Sequence, residues 1–277
     1  MLASLLIVFR EVIEAGVIIG VVLAATAGVP RRTLWVCYGL AGGIVGASLV
    51  AAFAGQLAQL FEGSGQEFFN ATILLLAVGM LTWHNVWMAS HGRAIALEVG
   101  RVGAAVSAGE RPLAALSVVC GVAVLREGSE IALFLYGIAA SGGASAVGML
   151  TGGILGVLAG ALVSALMYFG LLTIPARHLF AVTSGLITLL AAGLAAQAIA
   201  FVQQAGFLNV LSSTVWDTSW LLSESSLPGR LLHTLIGYTD RPNGAQLVAY
   251  LMTIVVVLGL MRLVRSSRTE SRRAVAH

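Results

Sequence analysis

Seven apolar runs, each long enough to cross a bilayer, dictate most of what this chain can become. They cover roughly residues 2–28, 34–60, 68–89, 113–140, 146–173, 179–203 and 245–264. A hydrocarbon core about 30 Å thick is crossed by about 20 helical residues. Lipid supplies no partner for backbone N–H and C=O groups, so each run must satisfy its own backbone as a helix. Charged residues make up only 10% of the chain and mean hydropathy is +0.96. A soluble domain carries about 25% charged residues. The expected fold is therefore all-α: a polytopic membrane protein whose residues 1–277 form a single membrane domain with seven transmembrane helices.

Polar segments punctuate the runs. Pro30, Arg31 and Arg32 close the first, and Glu62 to Glu67 separate the second from the third. Residues 90–112 form a polar connection with an amphipathic helix expected around Ile95 to Val106, and a longer outer loop, 204–244, precedes the seventh run. The stretch "AATAG" at 24–28 resembles a signal cleavage site, yet the positive leading region is missing and three charges interrupt the apolar core. The first run is expected to remain as a helix. Cys37 and Cys120 lie inside apolar runs without metal or redox spacing and are expected to be buried small residues.

Arginine placement gives an orientation. The chain has no lysine, and eleven arginines follow odd-numbered runs against two, Arg230 and Arg241, after even-numbered ones. Cytoplasmic loops carry the excess of basic residues. The N-terminus is thus expected outside, the C-terminus in the cytoplasm and the protein multi-pass in the cell (inner) membrane. Trp35 and Trp87 are then expected at the cytoplasmic interface, with Trp216 and Trp220 at or near the outer one. The basic tail "RLVRSSRTESRR" explains much of the pI of 9.2 through topology and lipid headgroup contact. No nucleic-acid partner is needed.

The chain also repeats. "REVIE" at 10–14 recurs as "REGSE" at 126–130, "LAGGIVG" at 40–46 as "LTGGILG" at 150–156, and "LLAVG" at 75–79 as "LLAAG" at 189–193. The offsets are 116, 110 and 114, nearly constant and in the same order. Residues 1–89 and 113–203 read as two copies of a three-helix unit, joined by the cytoplasmic segment 90–112. The loop 204–244 and a C-terminal helix with its tail, 245–277, follow. Three spans per copy force the copies to point in opposite directions. Such inverted 3+3 repeats are a transporter design, with the substrate site at the repeat interface near the midplane. Glycines four apart, Gly39/Gly43 and Gly42/Gly46 in the second run and Gly148/Gly152/Gly156/Gly160 in the fifth, suit close helix packing.

The recurring motif places charge where lipid makes it costly, at least about 2.5–3.5 kcal/mol per group at a helix centre. On a helix Glu11 and Glu14 share a face with Arg10 beside Glu14, and Glu127, Glu130 and Arg126 repeat the arrangement. Opposed faces would gather four carboxylates and two guanidinium groups, a net of minus two at full ionisation. That excess of negative charge invites a cation. Carboxylate oxygens favour hard metals, and an all-oxygen cage suits Fe³⁺ ahead of Fe²⁺, with Mn²⁺ and Mg²⁺ also acceptable. Self-satisfied structural ion pairs and a proton relay are the competing readings of the same residues.

Two R-E-x-x-E motifs in the first and fourth of seven spans resemble the high-affinity iron permease family, the oxidase-dependent iron transporters. The likeness runs over essentially the whole chain and includes "LLAAGLAAQA" in the sixth span and "WDTSWLLSE" at 216–224. The resemblance implies inward iron transport without an enzymatic reaction or permanently bound cofactor. It also implies an extracytoplasmic ferroxidase or iron-delivery partner, with Glu11, Glu14, Glu127 and Glu130 as iron ligands and Arg10 and Arg126 as supporting charges. "REVIE" departs from the family pattern in having Val12 at the third place, where "REGSE" has glycine.

Further polar residues are candidates for the pathway: His84 and Asn85 in the third span, Gln197 and Gln203 in the sixth, and Glu62, Glu67, Asp217 and Glu224 on the outer side. The outer segments carry five acids against two arginines, enough to concentrate cations at an entrance. Three rival functions remain open on the residues alone. They are a permease for another metal such as manganese or lead, a haem or quinone oxidoreductase, and a membrane subunit of an oxidoreductase complex that transports nothing. Haem ligation favours histidines at matching depths on separate helices, whereas His84 stands alone in mid-span.

Overall fold

The computed structural model describes residues 1–59, 66–140, 145–170 and 176–275. These contain eight helices: α1 (Leu2–Ala25), α2 (Arg32–Gln59), α3 (Gln66–Ser107), α4 (Ala114–Ala140), α5 (Ala146–Tyr168), α6 (Ala176–Gln204), α7 (Leu227–Ile236) and α8 (Gly244–Val275). One isolated β-bridge, Thr214 to Asn243, is the extended pairing found among the described residues. Five helices are long and apolar enough to cross a membrane: α2, α3 over Phe69–Met88, α5, α6 and α8 over Gly244–Val264. α1 and α4, at 24 and 27 residues, are as long, but each carries three charges in its middle.

Three boundaries differ from the sequence reading. α3 does not stop near residue 89 before a separate amphipathic helix; it runs unbroken to Ser107. No proline interrupts 90–107, and Val99 and Val106 pack with Val22, Val36, Leu116 and Cys120 at one end of the bundle. Helix continuation thus buries an apolar stripe that a loop would leave exposed. α7 lies inside what reads as loop. Its Ser226 side chain accepts the Gly229 N–H at 3.1 Å, Pro228 occupies the first turn, and Gly237 closes it at φ 69°. These are ordinary start and stop signals, easily overlooked in a ten-residue helix. α8 continues as helix through Val275, beyond its apolar part. Cys37, expected to be buried, is exposed, while Cys120 is buried.

Packing sets two parallel helix pairs beside each other. Along α1 and α5 the contacts advance together. A Cβ on Gly156 would lie 2.8 Å from Leu5 O and 2.9 Å from Val8 Cβ, and one on Gly160 would lie 2.8 Å from Val12 Cβ. α2 and α4 do likewise, with the Gly39 position 2.5 Å from Ser117 O, Gly43 2.7 Å from Gly121 O and Gly46 2.7 Å from Leu125 Cδ1. Backbones this close leave no room for a side chain. Gly42 faces open space, so only part of the second-run ladder acts in packing, whereas all four glycines of the fifth-run ladder sit against neighbouring atoms. α3 and α6 close the core, where Leu74, Leu81, Phe134, Ile187 and Leu194 join Ala3 and Ile7 of α1. The segment after α6 folds back against the bundle: a Cβ on Gly193 would meet the Gly237 Cα at 2.7 Å, about 16 Å below the end of α6.

Candidate metal centre

α1 buries one stripe, Ala3, Ser4, Ile7, Val8, Glu11 and Glu14, whose spacing of three and four is that of one helix face. The glutamates continue an apolar face rather than interrupting a polar one, so helix packing itself drives them inside. α4 does the same with Leu116, Cys120, Ala123, Glu127 and Phe134, and α3 with Leu74, Ala77, Leu81 and His84. The three stripes meet.

Within α1, Arg10 Nε lies 2.9 Å from Glu14 Oε1 and Nη1 lies 3.9 Å from Glu11 Oε1. Within α4, Arg126 Nε lies 3.1 Å from Glu130 Oε1 and 3.7 Å from Glu127 Oε1. His84 of α3 joins the two motifs. Its Nε2 is 3.6 Å from Glu11 Oε2 and 3.7 Å from Glu14 Oε2, and its Nδ1 pairs with Glu130 Oε2. Phe134 holds the imidazole edge-to-face at 6.1 Å between ring centres. One ligand atom from each of Glu11, His84, Glu127 and Glu130 lies within 4.8 Å of the others, the geometry of a site able to hold a metal ion. Glu14 stands behind this group, held by Arg10.

Both motifs come together, and their glutamates do not face unrelated surroundings. The cluster is not all oxygen: an imidazole sits at its centre, so the four candidate donors are three carboxylates and one nitrogen. In sequence His84 reads as a pathway candidate and not as a ligand, although at helical spacing after Ala77 and Leu81 it continues the buried face of α3. The motifs also differ in burial. Arg10 and Glu11 are 1% and 0% exposed, whereas Arg126 is 33% and Glu130 18% exposed. Trp87, expected as an interfacial anchor, also covers Arg126, its ring centre 4.1 Å from Cζ. Both oxygens of Glu11, Oε2 of Glu14, Glu127 and Glu130, and both His84 nitrogens are buried without a well-formed hydrogen bond. Buried polar atoms ordinarily have partners; such a concentration of orphans fits a place where a bound ion completes the coordination.

Three cavities reach this cluster. One of about 850 Å³ runs between the α1/α5 and α2/α4 pairs and touches Glu11 and Glu127. A second, about 420 Å³, lies between α4 and the continuation of α3 and ends on Arg126 and Glu127. A third, about 290 Å³, is walled by Met80, Trp83 and Phe134 and opens on His84 and Glu130.

The remaining sequence candidates lie elsewhere. Asn85 donates from Nδ2 to Ser184 O at 3.1 Å and Thr188 Oγ1 at 3.0 Å, tying α3 to α6. Gln197 is half-buried on α6, and no ion pair of the cluster reaches it. Gln203 accepts from Asn243 Nδ2 at 2.6 Å and donates to Val210 O, bracing the outer segment. Glu67 is exposed in the first turn of α3. Asp217 pairs with Arg241 at 3.0 Å and accepts from the Ser219 hydroxyl and N–H, which hold its carboxyl below the usual range. Glu224 pairs with His233 at 3.0 Å, and this hydrogen bond raises the His233 pKa above its ordinary value. Glu62 lies outside the described residues.

Comparison with known proteins decides the lineage. Residues 1–269 match the iron permease FTR1 family. The chain belongs to that family. The ferrous iron permease EfeU of Yersinia pestis is 31% identical over 280 residues, covering 100% of this chain and 98% of that protein. EfeU of Escherichia coli O157:H7 is 29% identical over 279 residues, covering 99% and 100%. No solved structure matches the chain. As a member of an iron permease family with several apolar membrane-length helices, it is a multi-pass membrane protein of iron transport.

Proposed function

We propose that this chain carries iron ions inward across the cell membrane, binding each ion in the cage of Glu11, His84, Glu127 and Glu130. The observation that carries the proposal is the meeting of both R-E-x-x-E motifs on one buried imidazole. Seven spans follow if α1 and α4 also cross. The three charges of α1 are buried and those of α4 are paired, with Arg126 covered by Trp87, which limits what lipid would meet. Helix direction supports an inverted repeat. α1 parallel to α5 and α2 parallel to α4 are the same relation with the copies exchanged, as expected of a two-fold axis in the membrane plane. Arginine placement supports an N-terminus outside and a C-terminus in the cytoplasm.

The valence preference shifts with the donor set. An all-oxygen cage favours Fe³⁺. An imidazole suits Fe²⁺ better than a purely carboxylate site does, and two guanidinium groups against four carboxylates leave minus two, which a divalent ion cancels. The relatives are named for ferrous iron. Fe²⁺ is therefore the ion proposed to occupy the cage. An extracytoplasmic ferroxidase or delivery protein is the proposed partner on the outer face, where Asp217, Glu224 and Asp240 line the folded segment before α8.

The test is uptake of radioactive iron by cells producing Glu→Gln variants at positions 11, 14, 127 and 130, at matched membrane abundance. Each substitution at 11, 127 or 130 is expected to reduce uptake at least about tenfold, the order seen for loss of a metal-site group. Uptake at the unsubstituted level in all of these variants refutes the cage.

A further inference from the structure

We infer that Glu98, on the continuation of α3, is the next carboxylate an ion meets after leaving the cage, and that the exit runs between α3 and α4. The inference rests on the cage reading above and extends it by one residue and one direction.

The cavity of about 420 Å³ between these helices joins the cage to an exposed acid. Arg126 and Glu127 line it from α4, and Glu127 is 3% exposed with Oε2 buried and without a well-formed hydrogen bond. Glu98, an exposed carboxylate, lines it from α3, eleven residues past Trp87. The rest of the lining is largely apolar, supplied by Ile18, Ile95, Val99, Val102, Val119 and Val122. At about 30 Å³ per molecule of liquid water, the space holds on the order of fourteen waters. An ion released from Glu127 can rehydrate there, but the apolar walls offer it nothing to bind. Glu98 is the cavity's acid outside the cage, and its charge lowers the energy of the ion on the way out. α3 continues past residue 89 as helix, and that continuation is what brings Glu98 over α4.

The neighbouring cavity, about 290 Å³, opens on His84 and Glu130. Arg126 and Trp87 line both cavities. Stacked at 4.1 Å, they form the partition between them, and Arg126 spans it electrostatically through Glu130 on one side and Glu127 on the other. In the proposed orientation the side holding Glu98 is cytoplasmic.

The experiment uses the purified full chain in liposomes under anaerobic conditions, with Fe²⁺ as the probe and flux read by a metal-quenched dye in the lumen. Fe²⁺ binding in detergent is measured on the same preparations. Glu98→Gln is expected to lower flux five- to twentyfold while binding changes less than twofold, and Glu98→Asp to restore part of the flux. Val102→Trp fills the cavity without touching any charge and is expected to lower flux similarly, again with binding intact. Flux within twofold of the unsubstituted protein in both Glu98→Gln and Val102→Trp, with flux lost in Glu127→Gln, overturns the exit and leaves the cage standing. Flux retained in Glu127→Gln overturns the cage itself.

Discussion

The two motif arginines are equivalent in sequence and unequal in structure, so their removal has unequal consequences. Arg10 is 1% exposed and 2.9 Å from Glu14; Arg126 is 33% exposed, lies on Trp87 and is 3.1 Å from Glu130. Arg10→Met strands Glu14 and Glu11 in the interior. Breaking a buried pair by removing one partner costs about 3–5 kcal/mol. Arg126→Met loses an ion pair partly screened by solvent, about 1 kcal/mol or less, and a cation–π contact of about 0.5–1 kcal/mol. For a chain of this length each kcal/mol moves Tm by about 2–4 °C. Arg10→Met should therefore lower Tm by at least about 6 °C and Arg126→Met by no more than about two thirds of the Arg10→Met shift. The assay is thermal unfolding of the metal-free protein in detergent, followed by loss of the monodisperse chromatographic peak. Equal shifts, or a larger one for Arg126→Met, refute the burial asymmetry and with it the one-sided cage.

Further outcomes follow from other contacts. Gly156→Val drives methyl groups into Leu5 O and Val8 at sites already 2.8–2.9 Å from a bare Cβ, and Gly43→Val does the same to α4. Each should cost about 1–3 kcal/mol or more, whereas Gly153→Ala, which faces open space, should be neutral or stabilising in the same melt. The His233–Glu224 pair lies outside the spans, and its raised His233 pKa fixes a sign. Its contribution is full below the ordinary histidine value near 6.5 and is lost as pH rises through the raised value. Hydrogen exchange in residues 227–238 should be slower, relative to its intrinsic rate, at about pH 6 than at about pH 8.5, and His233→Gln should remove that difference. Replacing the imidazole with a carboxylate, His84→Asp, should shift competitive binding toward Mn²⁺ and away from Co²⁺ by about tenfold or more, since nitrogen donors favour the later metal. An unchanged Mn²⁺/Co²⁺ ratio would remove His84 from the ligand set.

The acids of the site are legible in the sequence because charge in an apolar run has few explanations. Helix periodicity puts Glu11 with Glu14 and Glu127 with Glu130, and that is how they lie on α1 and α4. His84 is harder to place. A single histidine in an apolar run has the same appearance whether it faces lipid, a helix seam or a metal, and only the fold says which residues oppose it. Trp87 is only partly legible for a related reason: aromatic residues near a span end fit an interfacial belt, and nothing local reveals an arginine from another helix over the ring. Helix ends go astray where tertiary packing overrides local polarity. Residues 90–107 look like a connection because they carry Arg93, Glu98 and Arg101, yet Val99 and Val106 bury enough apolar surface to keep the helix going.

The proposed repeat argues for a single ion route. At the offset of 114 that relates α3 to α6, His84 corresponds to Ala198 and Trp87 to Phe201. Ala198 is fully buried in the apolar core, with Phe201 packed against the same cluster. The second copy therefore closes with hydrocarbon the side that the first copy opens with an imidazole and an indole. Two symmetry-related cages would each need their own histidine, and two symmetry-related routes would leave α6 with a polar lining that it lacks at these positions. One nitrogen donor, supplied from one repeat, pulls the shared site toward α3 and α4. That is also the side where Arg126 and Glu130 retain partial exposure while Arg10 and Glu11 have almost none. On the proposed reading, duplication supplied the acids twice, and divergence between the copies made the surroundings directional.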